Sequence, residues 1–566
     1  MNFVLPMSEW HLNQGLLGYY RILKKSGVDV QTTDDGLVFD TEHLEVLPQA
    51  MFNYYLDKYS VKAREGRIIQ SYWSKFANGD KNAKKEINDR LKKQIYDKVK
   101  KYYSETPSGA ELLENIEKFR AEKTYSEELS ELLNTIFKGL ETPEIHDKLT
   151  ANFFKAVILG PYFGQVSFLN VVKNDLTIPQ QIELFTRDFV QPVIEEIKFL
   201  DLLKSAKNEK QVTNFIENGQ HKGIKSLKRP LKKLSLNEIK AYIKDTVNKC
   251  SFFEDFLGFE QFNEGVFSPL ALSAGNAINF SWNANGKVSI PISAIAKLIL
   301  FCSPAGATMS GNKSIFVQNE GIFAELLKVN EHYSNQKNMD KSFDEIIFDL
   351  VAEQQLKADY TMKNFLILEY ESDYQAKKTL LDYMTLTPEL THLFKEHNKL
   401  FSYMSYRFRV SLIHDLLNYK DTKQLLFYEL REKIKHQYSS LEIIYATLIR
   451  HFYQCYQKGG VQMSMDTKKQ SSYIWVLYKS GASIQRIVGE KKAQGIAYRL
   501  LNTVKSGNKK QFMDTIMRVY ISANQQMPSL FLNVLHEEKM DFATVADSWI
   551  AGLISKKNEV GDETND

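Results

Sequence analysis

WHLNQGLLGYYRILKK, residues 10–25, is the stretch from which the fold reads outward. Leu12, Leu16, Tyr19, Tyr20 and Leu23 recur at helical spacing along one face, and Gly27 follows as a stop signal. Short alternating runs come next, such as residues 36–39, and these read as strands. Residues 81–103 predict a strongly amphipathic helix. Ile87, Leu91, Ile95 and Val99 recur every four residues, Lys85, Lys92, Lys93 and Lys100 occupy the remaining surface, and Asp80 is placed to cap the start. Residues 108–220 read as mostly helical, and residues 221–233 (HKGIKSLKRPLKK) as a basic loop broken by Gly223 and Pro230. At residues 275–293 the character changes. In GNAINFSWNANGKVSIPIS, Ile278, Phe280 and Trp282 alternate, Asn285-Gly286 is a hairpin-turn signal, and Val288 and Ile290 alternate again, which predicts a β-hairpin.

Residues 320–400 mix helices with a strand near 365–370, and from residue 401 onward only helices are expected. Across 483–504 the apolar stripe is Ile484, Ile487, Ala497, Leu500, Leu501 and Val504, ending at Gly507, with a second short helix over 511–520. No internal repeat is visible. The fold class is therefore α+β. A large mixed, helix-rich N-terminal domain (1–400) carries the β-hairpin region. An all-α C-terminal helical bundle (401–557) follows, and then a disordered acidic tail (558–566).

Composition agrees with that reading. With 13 Pro and 27 Gly in 566 residues, turn-rich all-β architecture is disfavoured. Hydrophobic residues at 43% and charged residues at 25% exclude a disordered chain, a collagen and a coiled-coil rod. The three cysteines (Cys250, Cys302, Cys455) are far apart, so neither a disulfide framework nor a CxxC metal pair is present. No secretory leader is expected, because residues 1–10 lack a basic start followed by an apolar run. No membrane span is expected either, since the best apolar stretch, 290–307, is interrupted by Pro291, Lys297 and Pro304. The expected location is the cytoplasm.

Charge is segregated along the chain. The formal net charge is +4, yet residues 62–101 carry 13 basic and 5 acidic residues, 204–249 carry 12 and 4, and 458–512 carry 11 and 2. Three basic blocks on a nearly neutral chain are a phosphate-binding footprint, and an acidic remainder favours grooves over an all-over basic coat. The plain alternative for any one block is a solvated helix face.

Catalytic motifs are absent: there is no GxxxxGK[ST], no GxGxxG after a strand, no HExxH and no GxSxG, and the eleven histidines show no ligand spacing. No catalytic residue, metal or cofactor is assigned. The hairpin is the most suggestive local feature. Asn276, Asn279, Asn283 and Asn285 can bond base edges, Gly286 allows close backbone approach, and Lys287 can pair with phosphate. Ordinary turn chemistry accounts for the same residues, and Trp282 reads as core.

Three stretches together resemble a known family. They are WHLNQGLLGYYRILKKSG at the start, NFSWNANGKVSIPISAIAKLILFCSPAGAT in the middle and AYRLLNTVKSGNKKQFMDTIMRVY near the end. In that order they resemble the large subunit of a type I-B CRISPR effector complex (Cascade), in the Cst or Tneap branch. The resemblance implies a non-enzymatic protein with a mixed α/β N-terminal domain and a helical C-terminal bundle. It implies a place near the 5′ handle of the guide RNA, among the Cascade backbone and small subunits. There the protein would read the protospacer-adjacent motif (PAM) on target double-stranded DNA, aid R-loop formation and help recruit the helicase-nuclease. Some relatives carry a cysteine-rich zinc element; this chain lacks those cysteines, so no zinc is expected.

With sequence reading left to base pairing, such a subunit needs a duplex site and a backbone groove. The hairpin residues 276–287 are the candidate PAM readers, with Lys313 on the neighbouring turn 311–313. Candidates for guide or target backbone contact are Lys85, Lys92, Lys93 and Lys100, then Lys225, Lys228, Arg229, Lys232 and Lys233, and in the bundle Lys491, Lys492, Arg499, Lys509 and Lys510. The part from 463 to 557 is small-subunit-like. Lys458-Gly459-Gly460 can be encoded with a strong ribosome-binding sequence shortly before Met463, an internal start that would yield a 104-residue product. The rival readings are a metal-dependent nuclease hidden among scattered carboxylates, and a helical scaffold with no nucleic-acid role.

Overall fold

The helix Trp10–Lys25 forms over the residues its spacing predicts, but it is buried on nearly every side along its first fourteen residues. Leu12, Leu16, Leu17, Tyr19, Ile22 and Leu23 are all fully buried. Its polar members are satisfied internally. Asn13 accepts from the Ser8 N–H and donates to the Ser8 carbonyl, and Gln14 donates to the Ser303 carbonyl. Its C-terminus closes as expected: Gly27 has φ +79° and its N–H donates to the Lys24 carbonyl. The neighbours of this helix are Ala294–Phe301 and Ser303–Gly306, the apolar stretch near 300. The backbones touch there. A Cβ at Gly18 would lie 1.9 Å from the Cys302 carbonyl oxygen, and one at Gly306 would lie 2.0 Å from that of Gln14.

This computed structural model describes residues 2–271, 290–310, 312–319, 321–335, 348, 365–373, 376, 378–459, 465–537 and 540–555. The hairpin expected over 276–287, Met463 and the tail 558–566 lie outside the described residues. The architecture is α+β and rich in helix, in two units. The first takes Met1–Gln318, Ile322–Asn330 and Leu368–Asp382, and the second takes Asn319–Gly321, Glu331–Ile367 and Tyr383–Asp566.

In the first unit, the strand Gly36–Asp40 pairs antiparallel with both Asn2–Pro6 and Thr32–Thr33. Two further cores flank this centre. One gathers helices between Val61 and Leu149, the other those between Phe199 and Ile243. The amphipathic segment 81–103 belongs to the first of these, and Asp80 caps it by accepting from the Asn82 N–H. Ile87, Leu91, Ile95 and Val99 are all fully buried. A strict four-residue repeat on an α-helix turns by about 40° per step, so the stripe would drift off the core. The middle of the segment, Leu91–Tyr96, is π-helical. Its wider turn takes up that drift and holds the four side chains on one face.

Residues 221–233 are not a loop. They form short helices, Lys222–Ser226 and Lys228–Leu231, because Ile224, Leu227 and Leu231 fall at helical spacing and are buried, while Pro230 sits within the first turn of the second. The strand near 365–370 is present as Phe365–Asp373, in a four-stranded sheet ordered Thr308–Ser310, Lys313–Asn319, Phe365–Asp373, Lys378–Leu386.

The described part of the second unit from Pro388 onward is helical. Its centre is Phe542–Leu553, all twelve residues of which are buried, packed chiefly on Met465–Val488. Gly552 lies against the Tyr478 carbonyl, which a Cβ would approach to 1.9 Å. Arg450, on Leu441–Gly459, is clamped between Asp421 (2.7 Å) and Asp541 (2.6 Å). The helix expected across 483–504 is two helices, since Gly489 (φ +79°) ends Met465–Val488 and begins Glu490–Lys505. Ile487 is accordingly half exposed rather than part of the stripe, whereas Gly507 (φ +68°) closes the second helix as expected.

Candidate nucleic-acid interface

The segment 81–103 shows how one sequence pattern builds both a core and a charged surface. Lys85, Lys92, Lys93 and Lys100 are all exposed, on the side away from Ile87, Leu91, Ile95 and Val99. From Lys85 to Lys92, and again from Lys93 to Lys100, seven residues make close to two turns. The stripe they form runs roughly 22 Å along the axis at 1.5 Å per residue. Among the described residues none of the four has a carboxylate partner. Lys84 faces inward instead. Its ammonium donates to the Phe119 carbonyl at 2.7 Å and lies over the Phe119 ring, and burial lowers its pKa to about 8. Two arginines nearby serve structure instead, since Arg64 and Arg90 share the buried carboxylate of Glu65.

The second block is fixed by two adjacent glutamates. Glu195 accepts from the Gln220 and His221 N–H groups, each at 2.8 Å, and Glu196 accepts from the Ala294 N–H at 2.8 Å. His221 caps Lys222–Ser226 by accepting from the Ile224 N–H at Nδ1, so its other nitrogen carries the proton and faces Glu196 at 3.2 Å. Burial raises the Glu196 pKa, and that histidine opposes the shift. Held in this way, Lys225, Lys228, Arg229, Lys232 and Lys233 all project into solvent, and among the described residues only Lys228 has a carboxylate partner, Glu217 at 3.3 Å. A cavity of about 670 Å³ opens beside them, lined in part by Lys222 and Phe259. Its Arg187 and Lys297 are neutralised by Asp188 and Glu260, so it has no excess attraction for an anion.

In the second unit, Lys491, Lys492, Arg499 and Lys510 are exposed, and Lys509 pairs with Glu537 at 2.9 Å. Lys313 follows the turn residue Asn312 and pairs with Ser310. It opens the strand Lys313–Asn319, and its ammonium is bound by the Glu369 carboxylate, which raises its pKa. Asn276, Asn279, Asn283, Asn285, Gly286 and Lys287 lie outside the described residues. The first basic set thus lies along one helical segment, while the second and third are each divided between two successive helices. Sequence reasoning missed Lys148 and Gln181, which reach a common hollow from separate helices and share no local motif.

The cysteines are structural neighbours of the apolar core. Cys250 Sγ accepts from the Ser293 N–H and hydroxyl, each at 3.3 Å, and burial pushes the Cys302 thiol well above its usual range. All three are buried, and none of them forms a disulfide. Among the described residues no group of three or more His, Cys, Asp or Glu is arranged to hold a metal ion. No described helix is long and apolar enough to cross a membrane.

Residues 224–308 match the family described as CRISPR-associated protein (Cas_CXXC_CXXC). The match indicates a CRISPR-associated protein, and it spans the second basic block from Lys225 onward together with the helices against Trp10–Lys25. No curated protein and no solved structure matches the chain. The matched stretch contains only Cys250 and Cys302, each without the second cysteine of a CxxC pair: Phe253 and Ala305 stand in those places. These residues do not fit a four-cysteine metal site.

Proposed function

We propose that this chain is the non-catalytic large subunit of a type I-B Cascade, a CRISPR RNA-guided surveillance complex. In this reading it recognises the PAM on target double-stranded DNA, aids R-loop formation and helps recruit the helicase-nuclease. The supporting observation is the CRISPR-associated match at 224–308, which coincides with one of the basic blocks and holds Lys225, Lys228, Arg229, Lys232 and Lys233 exposed on a buried apolar footing. Guide RNA, target duplex, the Cascade backbone and small subunits and the helicase-nuclease are its partners. Residues 276–287 are the PAM reader on chemical grounds, and the lysine stripes hold phosphate backbone. The region after Met463 serves also as a separate small-subunit product.

Co-purification tests the reading. The chain is tagged, expressed with its genomic neighbours, and the bound RNA and proteins are identified. A uniform guide RNA with repeated backbone subunits, and a fragment beginning near Met463, is the expected outcome. Recovery of the chain with neither RNA nor partners overturns it.

A further inference from the structure

Helices Lys423–His436 and Glu490–Lys505 of the second unit pack side by side. They run antiparallel. Near one end the Gln494 amide donates to the Ile434 carbonyl at 2.7 Å, and at the other the Lys505 ammonium lies over the Phe427 ring at 5.2 Å. Helical spacing carries both contact rows out to solvent. On the first helix, Arg431 and Lys435 stand four and eight residues after Phe427, on the same side, and both are exposed. On the second, Lys491, Tyr498 and Lys505 are seven residues apart, close to two turns each, on the side from which Gln494 reaches across. Lys491 and Lys505 are exposed, and Phe427 and Tyr498 are half-buried.

The two rows are the walls of a groove roughly 21 Å long, at 1.5 Å per residue from Lys491 to Lys505. Each helix places two cations on it. Among the described residues none of Arg431, Lys435, Lys491 and Lys505 has a carboxylate partner, whereas the neighbouring Lys433 and His436 are paired with Glu442 and Glu432, each at 3.3 Å. Glu490 lies beside Gln437 and Gln494 at one end, and a single carboxylate there against four cations leaves the groove basic. The first helix precedes Met463, so a product starting at that residue would carry one wall without the other.

From this geometry we infer that the groove holds one strand of single-stranded nucleic acid, its phosphates between the two rows of cations and a base against the Tyr498 ring. Unpaired positive charge on both walls complements a phosphate backbone, and an aromatic ring set between the cations suits a base that is free to stack, which a duplex keeps inside its own stack. The inference rests on the nucleic-acid reading above and adds the path of one strand, with Arg431, Lys435, Tyr498 and Lys505 as its contacts.

The test uses the full chain, a short single-stranded oligonucleotide made as DNA and as RNA, and a DNA duplex of the same sequence. Arg431→Gln with Lys435→Gln should weaken single-strand binding about tenfold and flatten its slope of log affinity against log salt by about 1.4, with duplex affinity within about twofold of the parent. Loss on the DNA strand, the RNA strand or both supports the inference and names the strand held. Both side chains are exposed, so the melting temperature should stay where it is. A strand carrying 5-iodouracil, which ultraviolet light joins to an aromatic ring stacked on it, should attach at Tyr498 of the parent. Unchanged single-strand affinity and slope in the double variant, with attachment elsewhere, overturns the groove alone. Equal loss on single strand and duplex makes it a duplex site and overturns the inference. Unchanged nucleic-acid binding with loss of a co-purifying subunit assigns the groove to a protein and overturns it too. If the parent binds duplex but no single strand, the groove fails and the nucleic-acid reading stands. If it binds neither, both fail.

Discussion

At the scale of single residues, the second unit keeps one carboxyl far from its ordinary chemistry. Asp547 lies in the middle of the buried helix Phe542–Leu553, and burial raises its pKa from 3.8 to about 7. Arg450 opposes that shift, Asp541 and Asp421 reinforce it, and Lys423 opposes it more weakly. Between those two pKa values the folded chain holds a proton that the unfolded chain has lost. Stability therefore falls as pH rises from about 4 to about 7, and above that a cost of about 2–4 kcal/mol is fully present. Asp547→Asn removes the ionisation at nearly constant volume. Its melting temperature should equal the parent's near pH 4 and exceed it by several degrees at pH 8, measured by calorimetry. An equal gain at both pH values would assign the effect to packing. Residues of this kind were illegible in the sequence. Nothing local marks Arg450, Asp421 and Asp541 as partners, because 29 and 91 residues separate them. Asp80 was legible, because a cap and the helix it starts are neighbours in the chain.

At the scale of elements, buried faces were more legible than the places where helices begin and end. The four-residue repeat across 81–103 announced both the buried face and the lysine stripe, though not the π-helical turn that keeps them aligned. Over 221–233, Gly223 and Pro230 suggested a loop, while burial of Ile224, Leu227 and Leu231 made two helices. At Gly489 the error ran the other way, and a positive φ divided a stripe that looked continuous. Because the stripe stands clear of the core, it can be changed without touching the fold. Replacing Lys85, Lys92, Lys93 and Lys100 by Gln should lower duplex affinity alike for PAM-containing and PAM-free DNA. It should also flatten the slope of log affinity against log salt by about 3–4. An unchanged slope in a salt titration would show that phosphate lies elsewhere.

At the scale of the whole molecule, the helix-rich α+β architecture was legible from scarce glycine and proline and long apolar periods. The candidate interface reads in the sequence as three charged blocks, whereas hollows whose walls come from separate helices leave no local pattern. The test of the proposed PAM reading belongs to this scale, since that role would be exercised in an assembled complex. Asn283→Ala with Asn285→Ala should weaken binding to PAM-containing duplex at least several-fold more than to PAM-free duplex, and equal loss on both in a gel-shift titration would remove these asparagines from that role. Each unit is also built around a buried helix whose glycine rests on another backbone, Gly18 on Cys302 and Gly552 on Tyr478. An alanine there has no flexible neighbour to push aside, and the cost is about 1–3 kcal/mol. A loss of that size leaves a chain that folds in the cold and fails in the warm. Gly18→Ala and Gly552→Ala should therefore behave as two independent temperature-sensitive alleles, one for each unit. A geneticist could then switch off either half of the protein in a living cell by warming the culture, with every charged surface residue left in place.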